Sequence, residues 1–261
     1  RFFDVGIAEP HAVTFAGGLA ANGMIPVFAV YSSFLQRCYD EIIHDLSIEP
    51  QHVILAIDRA GIVGNDGETH QGLFDVAMLA NIPDITVYSP ANYAELRQHL
   101  YRSIYQDSGV CAVRYPRGGE AALPASFDPK ADWQLFGEEQ APVVLVTYGR
   151  ICSEVLSAVK LLQQQGISAA VIKLGRILPL PQQAVQAALK AQDVFFVEEG
   201  IKNGGIGQLF GQALLEQDYK GRYRIAAVDN RFIEQATVAR ATTLAGLDAN
   251  GIADSCLRWL G

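Results

Sequence analysis

Cysteine is scarce in this chain, four among 261 residues, and Cys38, Cys111, Cys152 and Cys256 stand too far apart for metal-ligand spacing. A disulfide scaffold or a cysteine-held metal is therefore not expected, and the four read as reduced, buried thiols of a cytoplasmic protein. Long apolar runs are lacking too: none approaches the roughly 20 residues that span a bilayer. Basic charge is in short supply, with 20 Lys and Arg against 28 acids, a net charge of −8 and a pI near 5.1. No basic stripe is left for a nucleic acid to bind. No Met opens the sequence, and Arg1 leads straight into Phe2-Phe-Asp-Val5, a strand-like segment with no signal peptide before it. The chain is therefore expected to be a piece of a longer polypeptide.

What is present in abundance is apolar sequence, half of all residues, enough to bury the cores of two domains. Strand-like runs at Phe2–Val5, Ile25–Tyr31, His52–Asp58, Ile85–Tyr88 and Cys111–Tyr115 alternate with helical spacing over 10–22, 33–46, 73–80 and 92–107. Gly118-Gly119, Pro124 and Pro129 then break the pattern. The alternation resumes with strands at Val143–Tyr148, Ala169–Leu174, Val194–Val197 and Arg224–Val228. Helices are expected over Ile151–Gln165, Pro181–Leu189, Ile206–Leu215, 235–244 and 249–259. The reading is α/β: two doubly wound domains, each a mostly parallel sheet flanked by helices, at 1–118 and 143–261 with a linker at 119–142.

The stretch Asp58-Arg-Ala-Gly-Ile-Val-Gly-Asn-Asp-Gly-Glu-Thr-His-Gln-Gly72 crowds glycines, acids, an Arg and a His behind a buried strand. Loops set on a rigid sheet are where binding and catalytic groups gather. Open α/β sheets bind ligands beyond the carboxyl ends of their strands, and Glu9, Tyr31, Arg59 and Arg117 each fall just past such an end. Four separate strands thus deliver polar residues to one edge of the first domain. By contrast, the lone Gly204-Gly-Ile-Gly207, Glu198 and Glu199 are assigned no ligand.

Five segments occur in order: Gly6-Ile-Ala-Glu9, Tyr31-Ser-Ser-Phe-Leu-Gln-Arg37, Asp58-Arg-Ala-Gly61, Asp66-Gly-Glu-Thr-His-Gln-Gly72 and Val113-Arg-Tyr-Pro-Arg-Gly118. Together with Leu174-Gly-Arg-Ile-Leu-Pro179, Val197-Glu-Glu-Gly200 and Asp229-Asn-Arg-Phe-Ile233, they resemble the 1-deoxy-D-xylulose 5-phosphate synthase family. The resemblance covers essentially the whole chain but only the carboxyl-terminal part of that family's. It implies a transketolase-like pair: a thiamine-diphosphate pyrimidine-binding domain, then a transketolase-type C-terminal domain. The family's diphosphate domain, which holds magnesium through a Gly-Asp-Gly motif, finds no match; Gly64-Asn-Asp-Gly67 is the nearest approach and belongs to the Asp66–His70 segment.

The resemblance also implies roles. Glu9 corresponds to the catalytic glutamate that sets a carboxyl group against the N1′ nitrogen of the aminopyrimidine ring and stabilises its imino tautomer. Pro10 stands where a Gln is expected and should bias Glu9 toward extended backbone. Phe34 corresponds to the aromatic that packs on that ring, with Arg37 on the same helix face. Asp66 and His70 correspond to the pair that handles protons on the substrate side. Arg59 and Arg117 correspond to the grip on the phosphate of glyceraldehyde 3-phosphate, and Tyr31 to a substrate contact. Arg114 is the alternative to Arg117, less favoured because its strand position points it elsewhere. His11 falls near the site with no role assigned, and His44, His52 and His99 read as structural. The expected reaction joins pyruvate to the aldehyde with loss of carbon dioxide, in a homodimer that needs its amino-terminal domain for magnesium and diphosphate. Two alternatives stay open: a β-type subunit of a pyruvate-dehydrogenase-like or split transketolase enzyme, and a non-catalytic dimerising or regulatory module.

Overall fold

The computed structural model describes residues 1–261 as two α/β layers packed on one another. The first sheet has the order β1-β2-β4-β3-β8. β1 (Val27–Tyr31), β2 (Ile54–Asp58), β3 (Thr86–Tyr88) and β4 (Cys111–Arg114) run parallel. Helices α1 (Glu9–Ala21), α2 (Ser32–Leu35), α3 (Tyr39–Glu41), α4 (Asp75–Leu79) and α5 (Tyr93–Tyr105) cover them. β2 is apolar from Ile54 to Ile57 and buried there, as a central parallel strand must be when helices cover both faces. β1 feeds directly into a helical stretch running to Ser47, in which α2 and α3 alternate with a 3₁₀ turn (Gln36–Cys38) and a π turn (Ile42–Ser47). Asn92 caps α5 by accepting from the Glu95 N–H at 2.9 Å, which fixes where that helix starts.

The second sheet has the order β10-β9-β6-β7-β5. It comprises β5 (Trp133–Phe136), β6 (Val143–Tyr148), β7 (Ala169–Leu174), β9 (Asp193–Ile201) and β10 (Arg222–Val228). Its helices are α6 (Cys152–Gln164), α7 (Gln182–Ala188), α8 (Ile206–Glu216), α9 (Val238–Leu244) and α10 (Ala249–Leu260). Each sheet carries one antiparallel edge strand, β5 on β7 and the short β8 (Arg176–Leu178) on β3. β8 belongs by sequence to the second domain and completes the sheet of the first. One apolar cluster accordingly runs from Leu55 and Val87 through Ile177 into Val146 and Phe196, so the two layers share a core.

Three sequence expectations are corrected. Phe2–Val5 forms no strand, and Phe2 is 90% exposed, because no neighbouring strand supplies ladder partners. The span 119–142, expected as linker, contains β5, whose residues are only half-buried on the sheet edge. α1 begins at Glu9 itself rather than after it, with Pro10 in the first turn, where its missing N–H would have had no helical partner.

All four cysteines are buried and unpaired, and burial pushes each thiol up to about 12. No helix is long and apolar enough to cross a membrane.

Candidate active site

The carboxyl ends of β1, β2 and β4 lie side by side, and the residues just beyond them, joined by Glu9 at the start of α1 rather than at a strand end, form one connected line of contacts. At one end the Arg37 Nη1 donates to Glu9 Oε1 at 2.8 Å. The Arg37 guanidinium lies 4.8 Å from the centre of the Phe34 ring. Phe34 stacks on Tyr31 at 5.5 Å and meets the His70 imidazole edge-on at 5.3 Å. Tyr31 in turn carries the Arg59 guanidinium over its face at 3.6 Å. Arg59 Nε is 3.6 Å from Asp66 Oδ2, and the same carboxylate accepts from Arg117 Nη1 at 2.6 and 2.7 Å. Every site residue expected from the sequence thus belongs to one contiguous rim.

Local backbone explains how the sequence builds this rim. Arg59 adopts φ +60°, a conformation that non-glycine residues seldom occupy and that is most often tolerated at functional sites. Asp58 holds it there, accepting from the Arg59 N–H at 2.7 Å and from Nη1 at 2.5 Å. The loop that follows closes on itself through paired main-chain bonds between Gly61 and Gly72, at 2.7 and 2.8 Å. A Cβ at Gly72 would stand 2.0 Å from the Arg59 carbonyl, so only glycine lets the closing strand come this near. His70 sits at the end of a short 3₁₀ turn, its Nδ1 2.8 Å from the Thr69 hydroxyl.

Charge is arranged for an anion. The hydrogen bond from Arg117 holds Asp66 below the usual carboxylate range. Two guanidinium groups from different strands converge on that single carboxylate, the geometry a phosphate also accepts. Arg59 Nε, Ser32 Oγ and Gln71 Nε2 are buried with no hydrogen-bond partner in the chain. Such groups are ordinarily satisfied by a ligand or by water. Glu9, an aromatic face at Phe34 and these free donors suit a ring with polar nitrogens and a phosphate-bearing substrate. No group of three or more His, Cys, Asp or Glu side chains is placed to hold a metal ion.

Arg114 has a different fate from Arg117. It is 4% exposed and fully engaged, with Nε on Asp75 Oδ2 at 2.9 Å, Nη2 on Asp75 Oδ1 at 3.2 Å and Nη1 on Ser89 at 3.3 Å. His11 stacks on Phe15 at 6.0 Å, outside the line of contacts. His52 bonds the Ser103 carbonyl, and His99 is buried against Tyr88. A concavity of about 730 Å³ lies elsewhere, between α5 and residues 130–133, and no rim residue lines it.

Sequence reasoning missed two residues at the rim's back. Glu199, assigned no ligand, accepts from the Ile62 N–H at 2.9 Å, and Arg150 binds both Glu199 and the first-domain main chain. The available signal was the pair of acids ending an apolar strand, since buried acids are seldom left unpaired.

Comparison with known proteins places both layers. Residues 1–119 match the family described as transketolase, pyrimidine binding domain, and residues 135–252 match transketolase, C-terminal domain. Among curated relatives, the 1-deoxy-D-xylulose-5-phosphate synthase of Caldanaerobacter subterraneus is 42% identical over 265 residues, covering 99% of this chain and 42% of its own. That of Syntrophotalea carbinolica is 41% identical over 98% of this chain and 41% of its own. The chain spans about two fifths of the length of the curated relatives it matches. Among solved structures, a split gene transketolase described as an inactive β4 tetramer superposes with a TM-score of 0.84. It is 24% identical, over 99% of this chain and 83% of that one. Transketolase from Campylobacter jejuni gives 0.80 at 17% identity, over 98% of this chain and 39% of its own. The chain belongs to the transketolase family, pairing its pyrimidine-binding and C-terminal domains, and over nearly its whole length it is similar to 1-deoxy-D-xylulose-5-phosphate synthases.

Proposed function

We propose that this chain forms the pyrimidine-side half of a thiamine-diphosphate carboligase that joins pyruvate to glyceraldehyde 3-phosphate, releasing carbon dioxide and forming 1-deoxy-D-xylulose 5-phosphate. The observation that carries this reading is the unbroken line from the Glu9–Arg37 pair, through Phe34 and Tyr31, to the two arginines on Asp66. A carboxylate and an aromatic face stand at one end and a phosphate grip at the other, with His70 between them.

Thiamine diphosphate, when bound, supplies the nucleophilic carbon and the electron sink for decarboxylation and carbon–carbon bond formation. Glu9 would set its carboxyl group against the pyrimidine ring, aimed from the side by its hydrogen bond with Arg37. Phe34 offers its face to that ring. Tyr31 and His70 flank the reacting carbons, where a neutral imidazole can pass a proton to or from the new hydroxyl. Arg59 and Arg117 take the acceptor's phosphate, releasing Asp66 from its present bonds.

Magnesium and the diphosphate fall to a separate diphosphate-binding domain. Arg37 and Arg117 are 49% and 51% exposed, an open rim suited to being closed by such a domain. By itself the chain is expected to bind the cofactor weakly and turn nothing over. The exposed apolar residues Phe2, Phe3, Ile7, Ile25 and Val27 support a homodimer, and the unpaired thiols support a cytoplasmic setting.

The test is carbon dioxide release from pyruvate with thiamine diphosphate and magnesium, for the chain alone and completed by a diphosphate-binding domain. Release that requires both that domain and glyceraldehyde 3-phosphate supports the reading. Release stimulated by a lipoyl domain and indifferent to the aldehyde would point to a pyruvate-dehydrogenase-like subunit. Well-folded protein inactive in every combination would point to a regulatory module.

A further inference from the structure

We propose that the Arg150–Glu199 ion pair of the second domain is a positioning device that sets selectivity for a phosphorylated acceptor; this rests on the reading of Arg59 and Arg117 as the phosphate grip. Neither residue hydrogen-bonds a rim side chain. Beyond bonding each other, they bond the main chain of the loops that carry the arginines, Glu199 the first loop and Arg150 both. Glu199 Oε1 accepts from the Ile62 N–H at 2.9 Å. Arg150 Nη2 donates to the Ile62 carbonyl at 2.6 Å, and Nη1 donates to the Arg117 carbonyl at 3.3 Å. Within the pair, Arg150 Nε meets Glu199 Oε2 at 3.1 Å, and Nη2 bonds Oε1.

The pair is largely buried, at 16% and 9% exposure. Two charges withdrawn from water need well-formed bonds on every remaining donor and acceptor, and here the loop backbone supplies them. The approach is close enough that Gly61 must be glycine: a Cβ there would lie 2.6 Å from the Glu199 carboxyl carbon, and φ is +83°. One planar guanidinium thus registers Ile62, three residues after Arg59, against Arg117 itself. Lysine, a point charge without the fork, cannot hold both carbonyls in that geometry.

Selectivity follows from which residues depend on this brace. Arg59 and Arg117 come from different strands, and their joint hold on a phosphate requires a fixed spacing. Glu9 and Phe34 are carried by α1 and α2, which neither Arg150 nor Glu199 contacts through a hydrogen bond. Loosening the brace should therefore weaken the acceptor phosphate and leave the pyruvate side in place.

The experiment compares Arg150→Lys and Glu199→Gln with the parent in the chain completed by its diphosphate-binding domain. Steady-state rates are measured with glyceraldehyde 3-phosphate and with unphosphorylated glyceraldehyde, alongside amide hydrogen exchange over residues 60–64. The expected result is a KM for the phosphorylated aldehyde raised about tenfold or more, with pyruvate KM within about twofold, since sub-ångström misplacement is costly. The kcat/KM for glyceraldehyde should stay unchanged, and exchange at Ile62 should accelerate. Equal losses for both aldehydes, or unaltered exchange at Ile62 in both variants, would overturn the inference. A parent enzyme indifferent to the phosphate would instead sink the functional reading and this inference together. A selective parent whose variants stay selective would overturn the inference alone. Should Glu199→Gln fail to fold, Arg150→Lys carries the same comparison.

Discussion

The two sheets share a plan, four parallel strands and one antiparallel edge, yet their carboxyl ends are used in opposite ways. At the rim of the first, Glu9, Arg37, Arg59, Asp66 and Arg117 bond one another across loops and keep part of their surface open. At the rim of the second, Tyr148, Arg150, Glu198 and Glu199 are turned inward. Glu198, fully buried, accepts from Tyr148 at 2.8 Å and from the Ile206 and Gly207 N–H groups at the start of α8, at 3.0 and 3.1 Å. Burial pushes its carboxyl up to about 7, against these three hydrogen bonds, which lower it. A Glu–Arg pair at a strand tip is thus a site or a brace according to what its spare atoms meet. Open partners leave it free for ligand, and main-chain partners lock it into scaffold.

If that division holds, first-rim substitutions should read out in catalysis, substitutions of the buried groups Glu198 and Arg114 in stability, and the Arg150–Glu199 brace between the two in acceptor KM alone. The largest effect is expected from Glu9→Ala: kcat in the completed enzyme should fall about 10²–10⁴-fold, as for loss of a general acid–base group, with the melting temperature nearly unchanged. A parallel collapse of the melting temperature would erase the distinction. Next comes Arg114→Met. It strands the Asp75 carboxylate, which has no exposure of its own, and should cost about 3–5 kcal/mol in urea unfolding. A kinetic defect without loss of stability would move Arg114 into the site.

Glu198→Gln addresses pH. The folded carboxyl is raised above its unfolded value of 4.5, so the protonated form is favoured by folding. Its contribution is complete below pH 4.5 and is lost as pH rises through about 7, an effect on the order of 3 kcal/mol. Melting followed from pH 5 to 8 should therefore fall more steeply with pH in the parent than in Glu198→Gln. Identical slopes would show that this buried acid does not titrate in that range. Arg117→Met should raise the KM for glyceraldehyde 3-phosphate about 10–100-fold, the value of one charged hydrogen bond, without altering pyruvate KM. The smallest change is expected at Phe34→Leu, where losing an aromatic contact should weaken thiamine diphosphate by about tenfold or less in calorimetric titration of the completed enzyme.

Much of the fold was legible because buried parallel strands are continuous apolar runs. Ile54–Ile57 and Val143–Tyr148 could be read directly. β5 and β8 were not legible. Trp133–Phe136 sits half-buried on an edge within a proline- and glycine-marked stretch, and the three residues of β8 pair with a strand of the other domain, a long-range choice that no local pattern records. Phe2–Val5 failed for the converse reason: a strand-like composition forms no strand without a neighbour to pair with. At the site, side chains in motifs were recognisable as a set. The brace was not, because Arg150 and Glu199 act on the carbonyls and amides of Ile62 and Arg117, and backbone atoms leave no signature in residue identity.

The central claim is that the contact line at the first rim is one functional unit with a carboxylate end and a phosphate end. Its most direct test is the rate of carbon dioxide release from pyruvate by the completed enzyme, measured with glyceraldehyde 3-phosphate, with glyceraldehyde and with no acceptor, for the parent and for Arg117→Met. The parent is expected to respond strongly to the phosphorylated aldehyde and weakly to the other, and Arg117→Met to remove the difference. Release that ignores the acceptor's phosphate in the parent, or a preference that survives Arg117→Met undiminished, would contradict it.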